Sequence, residues 1–563
     1  ILSNVTMSLM LMLLLHLCGF CVEHLLLLSI NENALTAVQG HEFTLYRMQQ
    51  YNLQQQKHGC RGALVVAEAR TVEERVLTRR CVVMRLADFT LDRYQDALRH
   101  NAASVLILVP QNISSVPQDV IQRFMVSEAE VVMNDTLMPV YAAMEEEELL
   151  SMYEEMKAAS LALQSSSPLQ VLSSMVTANG FQIFVGSDFP IKPISDTAFI
   201  TLEGVLFGTG EDLPTVVITA HYDSFGIAPW LSYGADSNAS GVAVLLELVR
   251  LFHRLYSDAH SQARYNILFS LTGGGKYNYQ GTKRWIEENL DHTESSLLHE
   301  NVAFVLCLDT LANGEGLYLH VSRPPKPGTI QHAFIQELDQ VISSRFPSVK
   351  FGIVHKKINL GERALSWEHE RYGMRRIPAF TLSHLEDPRS GLRGSILDTV
   401  TQTDMKKLRR NAVIIAESMA RFMYNLTKKG SPKELPVFRG HMEVQESRLS
   451  SLMSYLSSVP RASQLLDREP SLQLLISTLE HEFSQYLQHV QRHVFRTDRR
   501  DPEVVFFDQM KQTMMMHRVK PAVFDLFLGA CIAAYLGVVY YAIQNLGHIY
   551  MKITKMAMNP KQQ

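Results

Sequence analysis

A nearly continuous apolar run from Pro521 to Leu546, PAVFDLFLGACIAAYLGVVYYAIQNL, constrains this chain more than any other feature. As a helix such a run is long enough to cross a hydrocarbon core of about 30 Å. Few core helices of a soluble domain are apolar on every face for so many residues, and this run is so apart from Asp525 near its start and Gln544 and Asn545 near its end. A membrane-spanning helix over 521–546 is therefore expected, with Tyr540 and Tyr541 near one interface. Lys511, Arg518 and Lys520 precede the run and Lys552, Lys555 and Lys561 follow it, so basic flanks alone do not orient it.

The other end of the chain supplies the orientation. Met7 to Ile30 reads MSLMLMLLLHLCGFCVEHLLLLSI, and its apolar part from Met7 to Phe20 has the length of a signal-peptide core, while Glu23 makes the whole stretch a poor span. A cleaved signal over 1–40 is expected, with cleavage near Gly40 and His41. No Lys or Arg precedes Arg47, so the usual basic flank is missing. The expected topology is type I: a body in the lumen of the secretory pathway, one span, and a cytosolic tail over 547–563. Sequons at Asn112 (NIS), Asn134 (NDT) and Asn425 (NLT) are compatible with that placement, and Asn238 (NAS) is a fourth. Lys and Arg number 53 against 57 Asp and Glu, a formal charge of -4, so no global basic field draws the chain to nucleic acid. Six cysteines, three of them in the two apolar runs, leave too few for a disulfide-built fold.

Between the apolar ends the sequence divides by pattern. Residues 41–165 form a first α/β piece, with strands over Arg80 to Leu86 and Ala103 to Val109, helices over Phe89 to His100 and Glu145 to Ala159, and a hinge at Ser165 to Pro168. Over 175–430 short apolar runs (Val216 to Ala220, Tyr265 to Leu271, Ala303 to Leu308, Pro378 to Leu382) alternate with helical patterns (Gly241 to Tyr256, Gly281 to Asn289, Asp404 to Leu426). That alternation predicts an α/β sheet with helices on its faces. Ligands in such sheets sit beyond the carboxyl ends of the strands, where His221, Asp223, Gly273 to Lys276, Asp309 and His384 fall. Residues 431–515 carry Leu and Met at helical spacing and are expected to form a helical juxtamembrane segment, with the basic patch Arg492 to Arg500 as a solvated face. Four His-Glu pairs, at His41, His299, His369 and His481, lack a second histidine four residues on and are read as polar surface. Gly273-Gly274-Gly275-Lys276 is not a phosphate loop, because Ser270 and Tyr277 occupy positions that need Gly and Ser or Thr.

AHYDS (Ala220 to Ser224), GADSNASG (Gly234 to Gly241), GGGKYNYQGTKRW, VLCLDT and AFTLSHL occur in an order that resembles the co-catalytic di-zinc aminopeptidase family. That family also includes transferrin receptor-like proteins, glutaminyl cyclases and nicastrin. The resemblance implies an aminopeptidase-like mixed sheet with flanking helices, preceded by a small N-terminal domain similar to a protease-associated domain. It places His221 and His384 at the two metal-binding histidines, Asp309 at a terminal carboxylate ligand, and Asp223 at the carboxylate that orients His221. The rest departs from the family pattern. The bridging aspartate position holds Ser237, with Asp236 displaced by one residue, and the adjacent Glu-Glu pair is replaced by Gly275 and Lys276. Gly275, at the general-base position, has no side chain, and a charged lysine offers no lone pair.

By this resemblance the chain is a pseudoenzyme that needs no cofactor and holds no metal. Its polar cluster is expected to be closed by Lys276 pairing with Asp309 or Asp236. Asp525, Gly529, Ala533 and Gly537 recur every four residues on one face of the predicted span and form a candidate seam for a second membrane helix. The whole layout is similar to the nicastrin-like membrane proteins of the endoplasmic reticulum. That likeness implies a noncatalytic lumenal scaffold whose partners are a Nodal modulator-type lumenal protein, a small multipass membrane protein and a translocon-associated complex. The competing expectation is a membrane-anchored zinc aminopeptidase with altered ligands.

Overall fold

The computed structural model describes residues 40–551 apart from 75, 165–179, 187–189, 195, 292–295, 299–300, 363, 428–429, 431–434, 467, 499, 521 and 549. The expected signal segment, the hinge at Ser165 to Pro168 and most of the expected tail lie outside the described residues. The centre of the molecule is a mixed sheet of eight strands. Its order is Lys350–His355, Gly316–Val321, Ala379–Ser383, Val302–Leu308, Thr215–His221, Asn266–Thr272, Ala198–Leu206 and Gln488–Arg496. Thr215–His221 runs parallel to both of its neighbours, and all seven of its residues are buried. A strand covered on both faces has to be apolar throughout, which is why its sequence shows a run and no alternation. Helix Ser240–Tyr256 lies against this strand and is itself buried over most of its length.

The second unit is a closed barrel whose strands follow the order His41–Arg47, Lys511–Val519, Gly180–Gly186, Val66–Thr71, Arg80–Arg85, Ser104–Val109 and Val140–Met144. The first strand pairs with both the last strand in the chain and Val140–Met144, which closes the ring. The barrel thus extends beyond the expected limits of 41 and 165, taking one strand from 180–186 and one from 511–519. Its core is a cluster separate from that of the large sheet and includes Phe43, Leu106, Tyr141, Ile183 and Met514.

The segment 431–515 is only partly helical. Helices Glu446–Leu456, Ser463–Leu466 and Pro470–Tyr486 are followed by strands Gln488–Arg496, Val504–Phe506 and Lys511–Val519. The expected basic juxtamembrane patch begins as the edge strand of the central sheet, paired antiparallel to Ala198–Leu206 from Arg496 to Gln488. A polar, arginine-bearing edge strand protects an open sheet edge from pairing with other chains. These helices belong to the body, because Leu475, Ile476, Leu479 and Phe483 are buried in the main core.

Gln49 and Glu128 join the two units. The Gln49 side chain donates to the Gly226 carbonyl (2.7 Å) and accepts from Tyr277 (2.7 Å) and Gln464 (2.7 Å). Glu128, buried on helix Gln118–Met133, accepts the backbone N–H groups of Ile227 (2.7 Å) and Ile396 (3.1 Å). Helix Ala522–Gln544 follows the last barrel strand. Its stretch Phe524–Tyr541 has a mean hydropathy of 1.6 and none of it is buried in the body. It is the one helix among the described residues long and apolar enough to span a bilayer.

Candidate functional site

Strand ends set the position of the site. Thr215–His221 delivers His221 and then Asp223, Asn266–Thr272 leads into the loop at 273–279, Val302–Leu308 delivers Asp309, and Ala379–Ser383 delivers His384. All four candidate residues are buried. His221 stands between two carboxylates, with Nδ1 3.4 Å from Asp223 and Nε2 3.5 Å from Asp309. Burial and the nearby Lys276 charge push its pKa down, but the two carboxylates outweigh them and hold it above the ordinary imidazole value.

The loop at 273–279 is built around Asp223. The N–H groups of Gly275 (2.8 Å) and Lys276 (3.0 Å) donate to the two oxygens of Asp223, and Ser463 adds a third bond at 2.9 Å. Ser463 comes from the segment expected to be helical and juxtamembrane. Gly275 is required here, since a Cβ at this position would lie 2.3 Å from Cγ of His221. The histidine ring fills the space that a side chain at the general-base position would need.

Lys276 does not pair with Asp309 or Asp236. Its ammonium donates to the Ser237 hydroxyl (2.5 Å) and to the Arg393 carbonyl (2.7 Å). Burial brings its pKa down to about 8, against the pull of Asp309. The expected ion pair is made by Arg393, whose Nη2 lies 2.7 Å from Asp309 Oδ2. The same guanidinium donates to the Tyr279 hydroxyl (2.9 Å) and the Ser366 carbonyl (2.7 Å), and stacks 4.0 Å above the Trp367 ring. Asp309 is buried, which alone would raise its pKa, yet Arg393, His221 and Lys276 hold it well below the ordinary carboxylate range. Sequence reasoning missed Arg393 because it sits in a short 3-10 turn, Gly391–Arg393, with neither periodicity nor motif.

Asp236 and His384 form a second pair, with Nε2 to Oδ2 at 2.7 Å. Asp236 also accepts from the N–H of Ala312 (2.8 Å) and from Asn313 (3.0 Å), while Asp398 receives the N–H groups of Asp236 and Ser237 at 2.8 Å each. Asn238 is fully engaged: its amide donates to the carbonyls of His221 (3.1 Å) and Leu308 (2.8 Å) and accepts from Gly241 and Thr310 at 3.1 Å each. Asn238 is buried, so the folded site does not offer this sequon to a glycosyltransferase, whereas Asn112, Asn134 and Asn425 are exposed. One His-Glu pair read as surface is also internal. His369 and Glu370 are buried, and the adjacent Glu368 accepts from Thr272 (3.0 Å) and Thr282 (2.7 Å) beneath the site.

A pair of zinc ions, which the peptidase resemblance implies, does not fit these residues. Two zinc ions need a bridging carboxylate and free lone pairs on four further ligands. Here Ser237, which the resemblance puts at the bridge, receives an ammonium, Asp309 is held by a guanidinium, and Asp236 is held by His384. Among the described residues no three His, Cys, Asp or Glu side chains converge as a metal site would require. The seam residues Asp525, Gly529, Ala533 and Gly537 lie far along the chain from this cluster. All four are exposed, and nothing lies within 4 Å of a Cβ built on either glycine.

Residues 204–353 match the model of Peptidase family M28. Over 525 residues the chain is 54% identical to the human protein named BOS complex subunit NCLN, covering 93% of this chain and 92% of that one. The zebrafish protein of the same name is 56% identical over 532 residues, covering 92% of each. The chain belongs to the nicalin family. The Caenorhabditis elegans nicalin is 28% identical over 517 residues and 89% of each chain. The crystal structure of the gamma-secretase component nicastrin superposes with a TM-score of 0.57 at 11% identity, covering 84% of this chain and 99% of that one, which shows a shared fold. In this nicalin-family chain the peptidase match ends before His384 and Arg393, the two residues that contact Asp236 and Asp309.

Proposed function

We propose that this chain is a noncatalytic lumenal scaffold, a subunit of an endoplasmic reticulum membrane complex linked to the translocon and to multipass membrane-protein biogenesis. Relatives named as BOS complex subunits support membership of such a complex. The observation that carries the noncatalytic reading is the internal closure of the old peptidase site. Two cations, Arg393 and Lys276, lie among its carboxylates, and His221 fills the space beside Gly275. Closed in this way, the strand-end loops become a rigid platform between barrel and sheet, and binding is left to the outer surface.

In this reading the body is lumenal, helix Ala522–Gln544 is the single type I span, and Asn112, Asn134 and Asn425 carry glycans. The partners are a Nodal modulator-type lumenal protein and a small multipass membrane protein, the latter packed against Asp525, Gly529, Ala533 and Gly537. Small residues let a neighbouring backbone approach closely, and in lipid such packing drives association. The test combines two measurements on the full chain purified from membranes. Metal analysis with aminoacyl substrates should find neither stoichiometric zinc nor turnover; about two zinc ions per chain with chelator-sensitive hydrolysis would overturn the noncatalytic reading. Ala533→Leu and Gly537→Leu should release the multipass partner while the body stays folded, and undiminished co-purification would move that contact elsewhere.

A further inference from the structure

One end of the barrel is covered by helix Glu147–Gln164, which meets the strands at their ends. Glu148 lies 2.6 Å from Nδ1 of His41, the first residue of its strand, and Glu155 lies 2.6 Å from Nη2 of Arg518, one residue before the end of its strand. Ser160 accepts from Thr71, the last residue of Val66–Thr71, at 3.2 Å. The Tyr153 hydroxyl donates to Asp88 at 3.5 Å, just beyond the end of Arg80–Arg85. Four strand ends of one rim therefore contact one helix, and its inner residues Leu149, Met152, Tyr153 and Met156 are buried in the barrel core. The helix is a lid on that rim.

The apolar helix leaves from the same rim. Val519 is still paired with Gly180, and helix Ala522–Gln544 begins three residues later, so only Lys520 and Pro521 intervene. Extended chain from Val519 to Ala522 spans about 10 Å. The lid is itself a helix about 10–12 Å across, and the headgroup layer is about 5–8 Å deep. A span starting that close to the rim leaves no room for bulk water beneath the lid.

The outward flank of the lid is divided along its length. Glu147, Ser151 and Glu154 are exposed toward the His41 side, while Ala158 and Leu161 are exposed and Lys157 half-buried toward the Arg518 and Thr71 side, where the span departs. Leu161 is 50% exposed. An apolar residue one helical turn from Lys157, on the side where Lys520 leads into the apolar helix, matches an interface in which a side chain enters the acyl boundary and ammonium groups lie among phosphates. The geometry points to a phospholipid surface as the occupant of this flank: Lys157, Ala158 and Leu161 rest in the headgroup layer and fix the tilt of the body on the bilayer. This inference depends on the reading of Ala522–Gln544 as the span.

The test uses the full chain in vesicles of phosphatidylcholine and phosphatidylserine, with Cys531→Ser in the background and the buried cysteines retained. A fluorophore is placed at Leu161→Cys, at Val126→Cys, which is 63% exposed on helix Gln118–Met133, or at Leu536→Cys within the span. Lipid carrying a quencher at headgroup depth should extinguish most of the Leu161 signal and leave the Val126 signal unchanged. Lipid with a deep quencher should extinguish Leu536. If Leu536 is quenched and Leu161 behaves like Val126, the lid stands clear of the bilayer and the inference is overturned. If Leu536 escapes the deep quencher, the span itself is misread and the inference falls with it.

Discussion

Replacing Arg393 by Met removes the guanidinium paired with Asp309 while keeping a long apolar stem over the Trp367 ring. Asp309 is 3% exposed and Arg393 15% exposed in their side chains, so the lost partner leaves a nearly buried carboxylate facing His221 and, farther off, Lys276. Breaking a buried pair from one side costs about 3–5 kcal/mol. Over roughly 500 folded residues the unfolding entropy is about 1 kcal/mol per kelvin, so a single transition should shift by about 3–5 °C. Differential scanning calorimetry of detergent-solubilised chain measures this directly. Arg393→Met also loses bonds to Tyr279 and Ser366, so the ion pair itself is isolated by a cycle with Asp309→Asn. The double variant should recover part of the loss. A melting temperature unchanged in Arg393→Met, or losses that simply add in the double variant, would refute the assignment of Arg393 as the stabilising partner of Asp309.

Other expectations follow from the same contacts. Gly275→Glu should create no peptidase activity and should lower the melting temperature, because its Cβ would displace the His221 ring; zinc-dependent hydrolysis by this single variant would refute that. Lys276→Glu should destabilise more strongly, placing a third carboxylate near Asp309 and Asp223, and unchanged thermal stability would show the cluster tolerates it. Burial raises the Glu128 carboxyl to about 7, so the folded chain holds a proton there that the unfolded chain releases near 4.5. Its contribution is present below about pH 4.5 and lost as pH rises to about 7, about 3 kcal/mol in all. Glu128→Gln should flatten that part of the stability profile, and an unaltered slope would count against it. Glycopeptide mass spectrometry of the secretory-pathway product should find glycans at Asn112, Asn134 or Asn425 and none at Asn238, whose amide is fully bonded inside the site.

The strands that position the site were legible because central parallel strands are continuous apolar runs: Val216 to Ala220 and Ala303 to Leu308 each lie within an observed strand. The polar residues at their ends were legible for the same reason. Arg393 was not, since a cation that reaches the site from a loop leaves no periodic trace, and its role depends on a fold that brings it 84 positions back to Asp309. The last strands were hidden by composition. Met514 and Met516 face the barrel core at a spacing of two, but methionine favours helices and masks the alternation. In Gln488–Arg496 no residue is fully buried, so an edge strand reads as a charged surface.

The ring closure between His41–Arg47 and Lys511–Val519 has a consequence for biosynthesis. The first strand of the body cannot find its neighbour Lys511–Val519 until nearly the whole body has been made, and that neighbour directly precedes the apolar helix. Until then His41–Arg47 and Gly180–Gly186 each lack the strand that later sits between them. Closure of the barrel and emergence of the apolar helix are thus consecutive events in synthesis. A chain in which that last strand fails to pair keeps an open sheet edge, a physical mark that separates an unfinished molecule from a finished one.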